Sequence, residues 1–309
     1  PETVPGVTID RQCGSSQQSV HFAAQGVMVG AYDVAVAAGV ESMSRVPMGS
    51  SMAGANPFGE KMRARYHDGI IPQGLSAELI AEQWQLRRED LDAIGYDSQM
   101  RALRATEEGR FDSEIVPIEV KVDGVVETLS ADEGIRPSTS MEGLAALKPA
   151  FKEDGVVTAG NSSQITDGAS AILIMSREKA DELGMTPRAR FVSFALVGTD
   201  PITMLTGPIP ATEKVLAKAG MDLSDIDLFE VNEAFAAVIG AWLHETGVDW
   251  EKVNPNGGAI ALGHPLGASG ARLMTTLVNE LERSGGRYGL QTMCEGGGLA
   301  NGTIIESLA

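Results

Sequence analysis

From residue 187 to the C-terminus, short apolar runs alternate with segments whose apolar residues recur at helical spacing. Arg190–Val197, Ile226–Glu230, Tyr288–Met293 and Gly302–Ser307 read as strands, and Ala211–Ala219, Glu233–Thr246 and Ala268–Arg283 as helices. Such alternation calls for helices layered on a sheet, because each element must hide its apolar side against another. The chain opens in the same way. Thr3–Ile9 is a candidate strand, Ser19–Val29 a helix stopped by Gly30, and Asp33–Ala38 a short buried strand. Ala169–Met175 returns to the buried-strand pattern and precedes a polar helix, Arg177–Leu183.

Between these stretches, residues 44–164 mix Met, Gly, Pro and charged residues, with helical segments at Ser76–Arg87 and Asp90–Glu107. This reads as an inserted, mostly irregular and helical subdomain. The expected organisation is therefore 1–43 with 165–186 as one α/β unit, 44–164 as an insertion, and 187–309 as a second α/β unit. The 309 residues suffice for about two domains. Both units carry a cysteine in a Gly/Ser-rich turn, a weak internal echo. The chain starts at Pro1, and its first recognisable element is already a reactive-looking turn, so an N-terminal piece is expected to be missing or cleaved.

A net charge of −18 argues against nucleic-acid or anionic-membrane partners, although local donors still permit an anionic ligand. No apolar run approaches the length of a membrane span, and residues 1–12 lack a signal-peptide pattern. With only Cys13 and Cys294, no disulfide framework is expected, and a reducing cytoplasm is the expected setting.

Four turns carry candidate chemistry. In Asp10-Arg11-Gln12-Cys13-Gly14-Ser15-Ser16, the cysteine stands just ahead of a helix. The dipole and free N–H groups there favour the nucleophilic thiolate and suit an oxyanion, although the cysteine could simply pack. In Glu230-Val231-Asn232-Glu233-Ala234-Phe235, Asn232 either caps the following helix or orients a water or a carbonyl. In the run Asn256 to Gly270, glycines 257, 258, 263, 267 and 270 surround His264, one of four histidines in the chain. A lone histidine is usually structural, but flanking glycines let backbone and ligand approach closely. In Cys294-Glu295-Gly296-Gly297-Gly298-Leu299, consecutive glycines bare backbone N–H groups. A mere tight turn is the simpler reading of that stretch, at an entropic cost.

In this order, the four turns resemble the signatures of the thiolase family. So do Glu41-Ser42-Met43-Ser44, Leu147-Lys148-Pro149-Ala150-Phe151, Val157 to Ser163, Asp167-Gly168-Ala169 and Gly207-Pro208-Ile209-Pro210-Ala211. The resemblance implies an α/β fold of two similar α/β/α-layered halves. Each half has a mixed five-stranded sheet, with a loop domain inserted, and this chain would lack the first elements of the N-terminal half. It implies an acyltransferase working by ping-pong through an acyl-cysteine, with Cys13 as nucleophile. His264 would activate it and share one oxyanion hole with a water held by Asn232. Cys294 would serve the α-carbon, and the backbone of Cys13 and Gly296 would form the second hole. Arg136, Ser163, Ala234 and Phe235 are implied contacts for coenzyme A, which enters as a substrate. No metal or tightly bound cofactor is implied, and a homodimer or homotetramer is expected by analogy.

The chain departs from the family pattern at Ser16 and Ala300, where glycine is common, and at Asp10-Arg11, where an Asn-containing approach is usual. Pro72-Gln73-Gly74 replaces a His-Met-Gly stretch typical of biosynthetic members, which favours 3-ketoacyl-CoA degradation over acetoacetyl-CoA synthesis. Two rivals are a ketoacyl synthase-type condensing enzyme and a catalytically silent acyl-CoA-binding protein. The set Cys13, Asn232, His264 and Cys294 argues against both.

Overall fold

The computed structural model describes residues 1–66, 69–122 and 124–309. After a 3-10 turn at Gln12–Gly14, the elements are α1 (Ser15–Met28), β1 (Val34–Ser42), α2 (Glu60–Arg65), α3 (Gln73–Gln83), α4 (Arg88–Glu107), β2 (Ile118–Val122), β3 (Val125–Leu129), α5 (Met141–Ala145) and β4 (Asp167–Met175). There follow α6 (Arg177–Leu183), β5 (Ala189–Gly198), α7 (Pro208–Ala219), β6 (Leu228–Val231), α8 (Ala236–Thr246), α9 (Ala259–Leu262), α10 (Leu266–Ser284), β7 (Tyr288–Glu295) and β8 (Leu299–Ser307).

The C-terminal sheet has the order β5-β8-β7-β6. β8 is antiparallel to both neighbours and β6 runs parallel to β7, so the sheet is mixed, as the resemblance implies. Its strand count is four rather than five. A fifth line is begun where Val253 bridges Phe229, but Asn254 turns away at φ 46 and no strand grows. Val215, Phe229, Val231, Ile239, Trp242 and Leu290 fill the core beneath this sheet. Trp242 meets Phe229 edge-on with ring centroids 5.4 Å apart and satisfies its indole N–H on Thr212 Oγ1 at 2.9 Å. Burial of an aliphatic or phenyl side chain such as Leu290 or Phe229 contributes roughly 1.5–3 kcal/mol.

The first sheet contains β1 and β4, paired antiparallel from Val34↔Met175 to Ser42↔Asp167. Both strands were expected to be buried on both faces, and they are not. Ala37 and Ile174 pack among residues of α1 and α10, whereas Val36, Val40 and Leu173 on the other face are exposed. Helices cover one face only. Thr3–Ile9 forms no strand either: Pro5 lacks an N–H, Gly6 adds freedom, and the segment lies along the surface unpaired.

The described residues between 44 and 164 are mostly irregular and helical, apart from the exposed β2–β3 hairpin, whose register runs Ile118↔Leu129 to Val122↔Val125. Their apolar residues do not form a core of their own. Ala77, Ile80, Leu91 and Val157 join Val238 and Ile260 of the C-terminal part in one cluster.

α1 and α10 lie between the two sheets and touch each other closely. A Cβ on Gly270 would fall 2.2 Å from the backbone N of Gln17, so only glycine fits. Nearby, Ser16 is fully buried and its hydroxyl accepts from Ala271 N at 2.9 Å, which gives this departure from the family pattern a structural partner. The contact fixes where both helices begin, and hence where the Cys13 and His264 turns stand. Gly270→Ala is expected to cost about 2 kcal/mol by overpacking. Urea unfolding checks this, and an unchanged midpoint would show the helices free to part.

Candidate active site

The Cys13 turn is set by strain and local hydrogen bonds. Gln12 has φ 47, a left-handed conformation uncommon for a residue with a side chain. It is held there because Gln12 N donates to Asp10 Oδ1 at 3.1 Å, and Ser15 Oγ both accepts from Arg11 N at 2.9 Å and donates to Gln12 O at 2.7 Å. The Gly14 N–H is likewise engaged, by Arg11 O at 3.0 Å. Cys13 itself is 3% exposed. The sequence reading expected thiolate here, and the structure corrects it. Burial, then the Glu295 carboxylate, push the thiol up to about 12, against weaker help from its own backbone N–H and the Gln73 side chain. Desolvation outweighs the helix start.

Cys294 lies near the end of β7, fully buried, opposite Ala300. Its thiol is raised well above the ordinary value, first by burial and then by the charges of Cys13 and Glu295. The two sulfurs therefore sense each other, and ionising one disfavours ionising the other. Beyond Cys294, Gly297 and Gly298 have φ 82 and 85 in the loop that returns to β8. Gly296 lines, with Cys13, Gln12 and Gln73, a cleft of about 1410 Å³.

His264 is set by its neighbours on both sides of the ring. Ser269 Oγ donates to Pro265 O at 2.9 Å, which uses its only proton. The 2.6 Å contact between His264 Nδ1 and Ser269 Oγ must therefore carry a proton from the histidine. That assigns the Nδ1–H tautomer and leaves the Nε2 lone pair facing Asn232 Nδ2, which donates to it at 3.3 Å. Burial, then the Arg272 cation, hold the imidazole down to about 3, so it is neutral at neutral pH and its Nε2 carries a lone pair. The preceding Gly263, at φ 87, could not be replaced, since a Cβ would fall 2.2 Å from Thr166 Oγ1.

Asn232 does not cap a helix. α8 begins at Ala236, later than the sequence suggested, because Phe235 is extended and bridges Ser162. The Asn232 amide points to His264 instead, and its Oδ1 is buried without a hydrogen-bond partner among the described residues. A buried acceptor in that condition suits an ordered water or a ligand.

The four candidate coenzyme A contacts sit close to the histidine turn. Ser163 N donates to Ala234 O at 3.0 Å, and Phe235 meets Phe151 edge-on at 5.9 Å. Arg136 is exposed; its backbone N donates to Gln99 and its guanidinium to Gln164. Gln164 O in turn accepts from His264 N at 3.1 Å. None of the four lines the cleft on which Cys13 opens.

Sequence reasoning missed the supporting residues. Ser269 orients the imidazole, and Gln164 joins the Arg136 loop to the histidine turn through Gly134 O, Ile260 O and Ala261 O. Buried Glu233 accepts from Ser98, Asn254 and Ile260. Ser269 had one usable signal, a hydroxyl in the turn after the histidine. Gln164 and Glu233 act through residues distant in sequence and gave none.

Residues 1–178 match the thiolase N-terminal domain family, and residues 185–307 match the thiolase C-terminal domain family. The chain belongs to the thiolase family. It is 51% identical to the steroid 3-ketoacyl-CoA thiolase FadA6 of Mycobacterium tuberculosis, an alignment covering 100% of this chain and 76% of that protein. It is 45% identical to the 3-ketoacyl-CoA thiolase of Bacillus subtilis, over 99% of this chain and 80% of that one. Among solved structures, the Bacillus anthracis acetyl-CoA acetyltransferase superposes with a TM-score of 0.90 at 42% identity, covering 100% of this chain and 80% of that one. Human mitochondrial 3-ketoacyl-CoA thiolase gives a TM-score of 0.90 at 40% identity, covering 99% and 80%.

A second buried imidazole, on His21, allows the electrostatics to be tested away from the cysteines. Burial, then Arg11 and Lys218, lower it from 6.5 to about 3, and its Nε2 contacts Thr303 Oγ1 at 2.7 Å. The unfolded chain takes up the proton first, so this contribution to stability is present above pH 6.5 and is lost as pH falls towards 3. His21→Gln is expected to flatten the acid side of the stability profile measured by urea unfolding. A profile as steep as the parent's would show that His21 is not held neutral.

Proposed function

We propose that this enzyme cleaves 3-ketoacyl-CoA with coenzyme A to give acetyl-CoA and a shortened acyl-CoA, or runs the reverse condensation, through an acyl group on Cys13. The observation that carries this reading is the neutral, oriented His264, whose Nε2 lone pair meets the Asn232 amide, in a chain that also buries two protonated and mutually coupled thiols. A thiol near 12 cannot act as a standing thiolate. It needs a base that takes its proton as it attacks, and a neutral imidazole does so.

In this reading Cys13 Sγ attacks the 3-keto carbon while His264 Nε2 accepts the thiol proton. The resulting Nε2–H and a water on Asn232 Oδ1 stabilise the oxyanion. As it collapses, the C2–C3 bond breaks, leaving an acyl-Cys13 thioester and the enolate of acetyl-CoA. The N–H groups of Cys13 and Gly296 hold the enolate oxygen, and such donors typically supply about 3–4 kcal/mol each. Cys294 protonates the α-carbon. The thiol of coenzyme A then attacks the acyl-Cys13, giving ping-pong kinetics. Arg136, Ser163, Ala234 and Phe235 are the proposed contacts of coenzyme A.

The 3-ketoacyl names of the relatives support the degradative direction, and so does Gln73 beside Cys13 in place of a His-Met-Gly stretch. The two free cysteines suit a reducing cytoplasm. The exposed Val36, Val40 and Leu173 suit a homodimeric or homotetrameric assembly.

Intact-protein mass spectrometry after brief incubation with acetyl-CoA tests the intermediate. An acetyl adduct mapped to Cys13 is expected, and its absence on folded protein would refute the proposal. Cys13→Ala is expected to lose the adduct and all turnover. Cys294→Ala should still acylate but lose carbon–carbon cleavage by roughly 100-fold or more, the scale of removing a general acid or base.

A further inference from the structure

Each reactive cysteine has a charged residue close by in sequence, and these two residues meet. Arg11 stands before Cys13, and Glu295 directly follows Cys294. Although 284 positions separate them (295 − 11), Arg11 Nε lies 2.8 Å from Glu295 Oε2. The Glu295 side chain is fully buried and that of Arg11 is 21% exposed. The Nε–H itself points at Asn301 Oδ1, 3.0 Å away on β8, and neither Glu295 oxygen receives a directed hydrogen bond among the described residues. The contact is thus held by charge at short range, with Asn301 fixing the guanidinium. The space it fills is reserved for it: a Cβ on Gly14 would fall 2.1 Å from Glu295 Oε1. Asn301 also faces Gln18 of α1 at 3.4 Å, which ties β8 to the helix that Cys13 opens.

We infer that Arg11 and Glu295 are positioning residues for the proposed acyl transfer: the ion pair locks the Cys13 turn onto the Cys294 turn and sets one negative charge beside both thiols. This deepens the acyl-cysteine reading and rests on it. The charge acts on each sulfur directly, since Glu295 is among the groups that raise both Cys13 and Cys294. A simple structural pair would have no reason to sit where it biases the proton affinity of two reactive groups at once. Glu295 itself is lifted to about 7 by burial, against the Arg11 cation, so its charge changes across neutral pH. Other charged groups also act here. Glu41 of β1 also raises Cys13. His21 of α1 is neutral and feels Arg11 and Lys218 of α7.

The test follows acyl-Cys13 formation from acetyl-CoA by mass spectrometry as a function of pH, in the parent and in Glu295→Gln, which keeps the shape and removes the charge. With the negative charge gone, Cys13 gives up its proton more readily. The midpoint that the titration of Glu295 places near pH 7 in the parent's rate profile is expected to vanish, and the rate above it to rise. The double variant Arg11→Gln/Glu295→Gln leaves no charge unpaired, should show the same loss of the midpoint, and serves if the single variant folds poorly. Arg11→Lys keeps the charge but loses the guanidinium geometry at Asn301. It should retain the parent midpoint while losing roughly tenfold or more in cleavage of a 3-ketoacyl-CoA, as misplacement of a reacting group does. A parent-like midpoint in both charge-removing variants, or parent-like cleavage by Arg11→Lys, overturns the inference. Failure of the parent itself to form an adduct on Cys13 would overturn the acyl-cysteine reading and this inference with it, a distinguishable result.

Discussion

The buried carboxylate of Glu233 is the interaction on which the site depends. A carboxyl group in the interior is tolerated only when its oxygens are bonded, and here three donors converge on it. Ser98 Oγ arrives from α4 at 2.6 Å, Asn254 Nδ2 from the residue after the abortive fifth strand at 2.9 Å, and Ile260 N from α9 at 3.2 Å. Each comes from a different part of the chain, so satisfying one side chain brings the middle segment, the sheet edge and the glycine-rich turn to a common point. Asn232 precedes Glu233 and His264 closes the turn that follows α9. Their 3.3 Å contact is the local result of that convergence.

The same economy governs the central helices. α1 starts at the nucleophile and α10 starts just beyond the histidine, and they approach until Gly270 touches the backbone at Gln17. Side chains of normal size at that point would separate the helix starts and with them the two reactive turns. Glycine here is a spacer of minimum thickness between two parts of one site, and its lack of a side chain matters more than its backbone freedom.

The chemistry was more legible in the sequence than its setting was. Cys13, His264 and Cys294 each sit in or beside a turn whose glycines have local work to do, so the signal survives without knowledge of the fold. The α/β alternation after residue 187 was legible because β6, β7 and β8 are covered on both sides and read as apolar runs. β1 and β4 carry the same apolar pattern, yet one face lies open, and composition cannot say which face has a neighbour. The state of Cys13 was misjudged for a related reason. The position at a helix start is written in the sequence, but the depth of burial and the Glu295 carboxylate are contributed by residues far along the chain. Ser269, Gln164, Glu233 and the Arg11–Glu295 contact are partners of the same kind, invisible until the chain folds.

The depth at which Cys13 is held has a consequence for the enzyme at rest. Peroxide and related oxidants react with thiolate far faster than with thiol. A sulfur that keeps its proton until about 12 offers them little to attack. Idle, the protein carries its nucleophile in a chemically quiet form, and the sulfur becomes vulnerable only during the brief interval in which a bound thioester draws its proton away. Oxidative damage to such an enzyme should therefore track its workload more closely than its abundance.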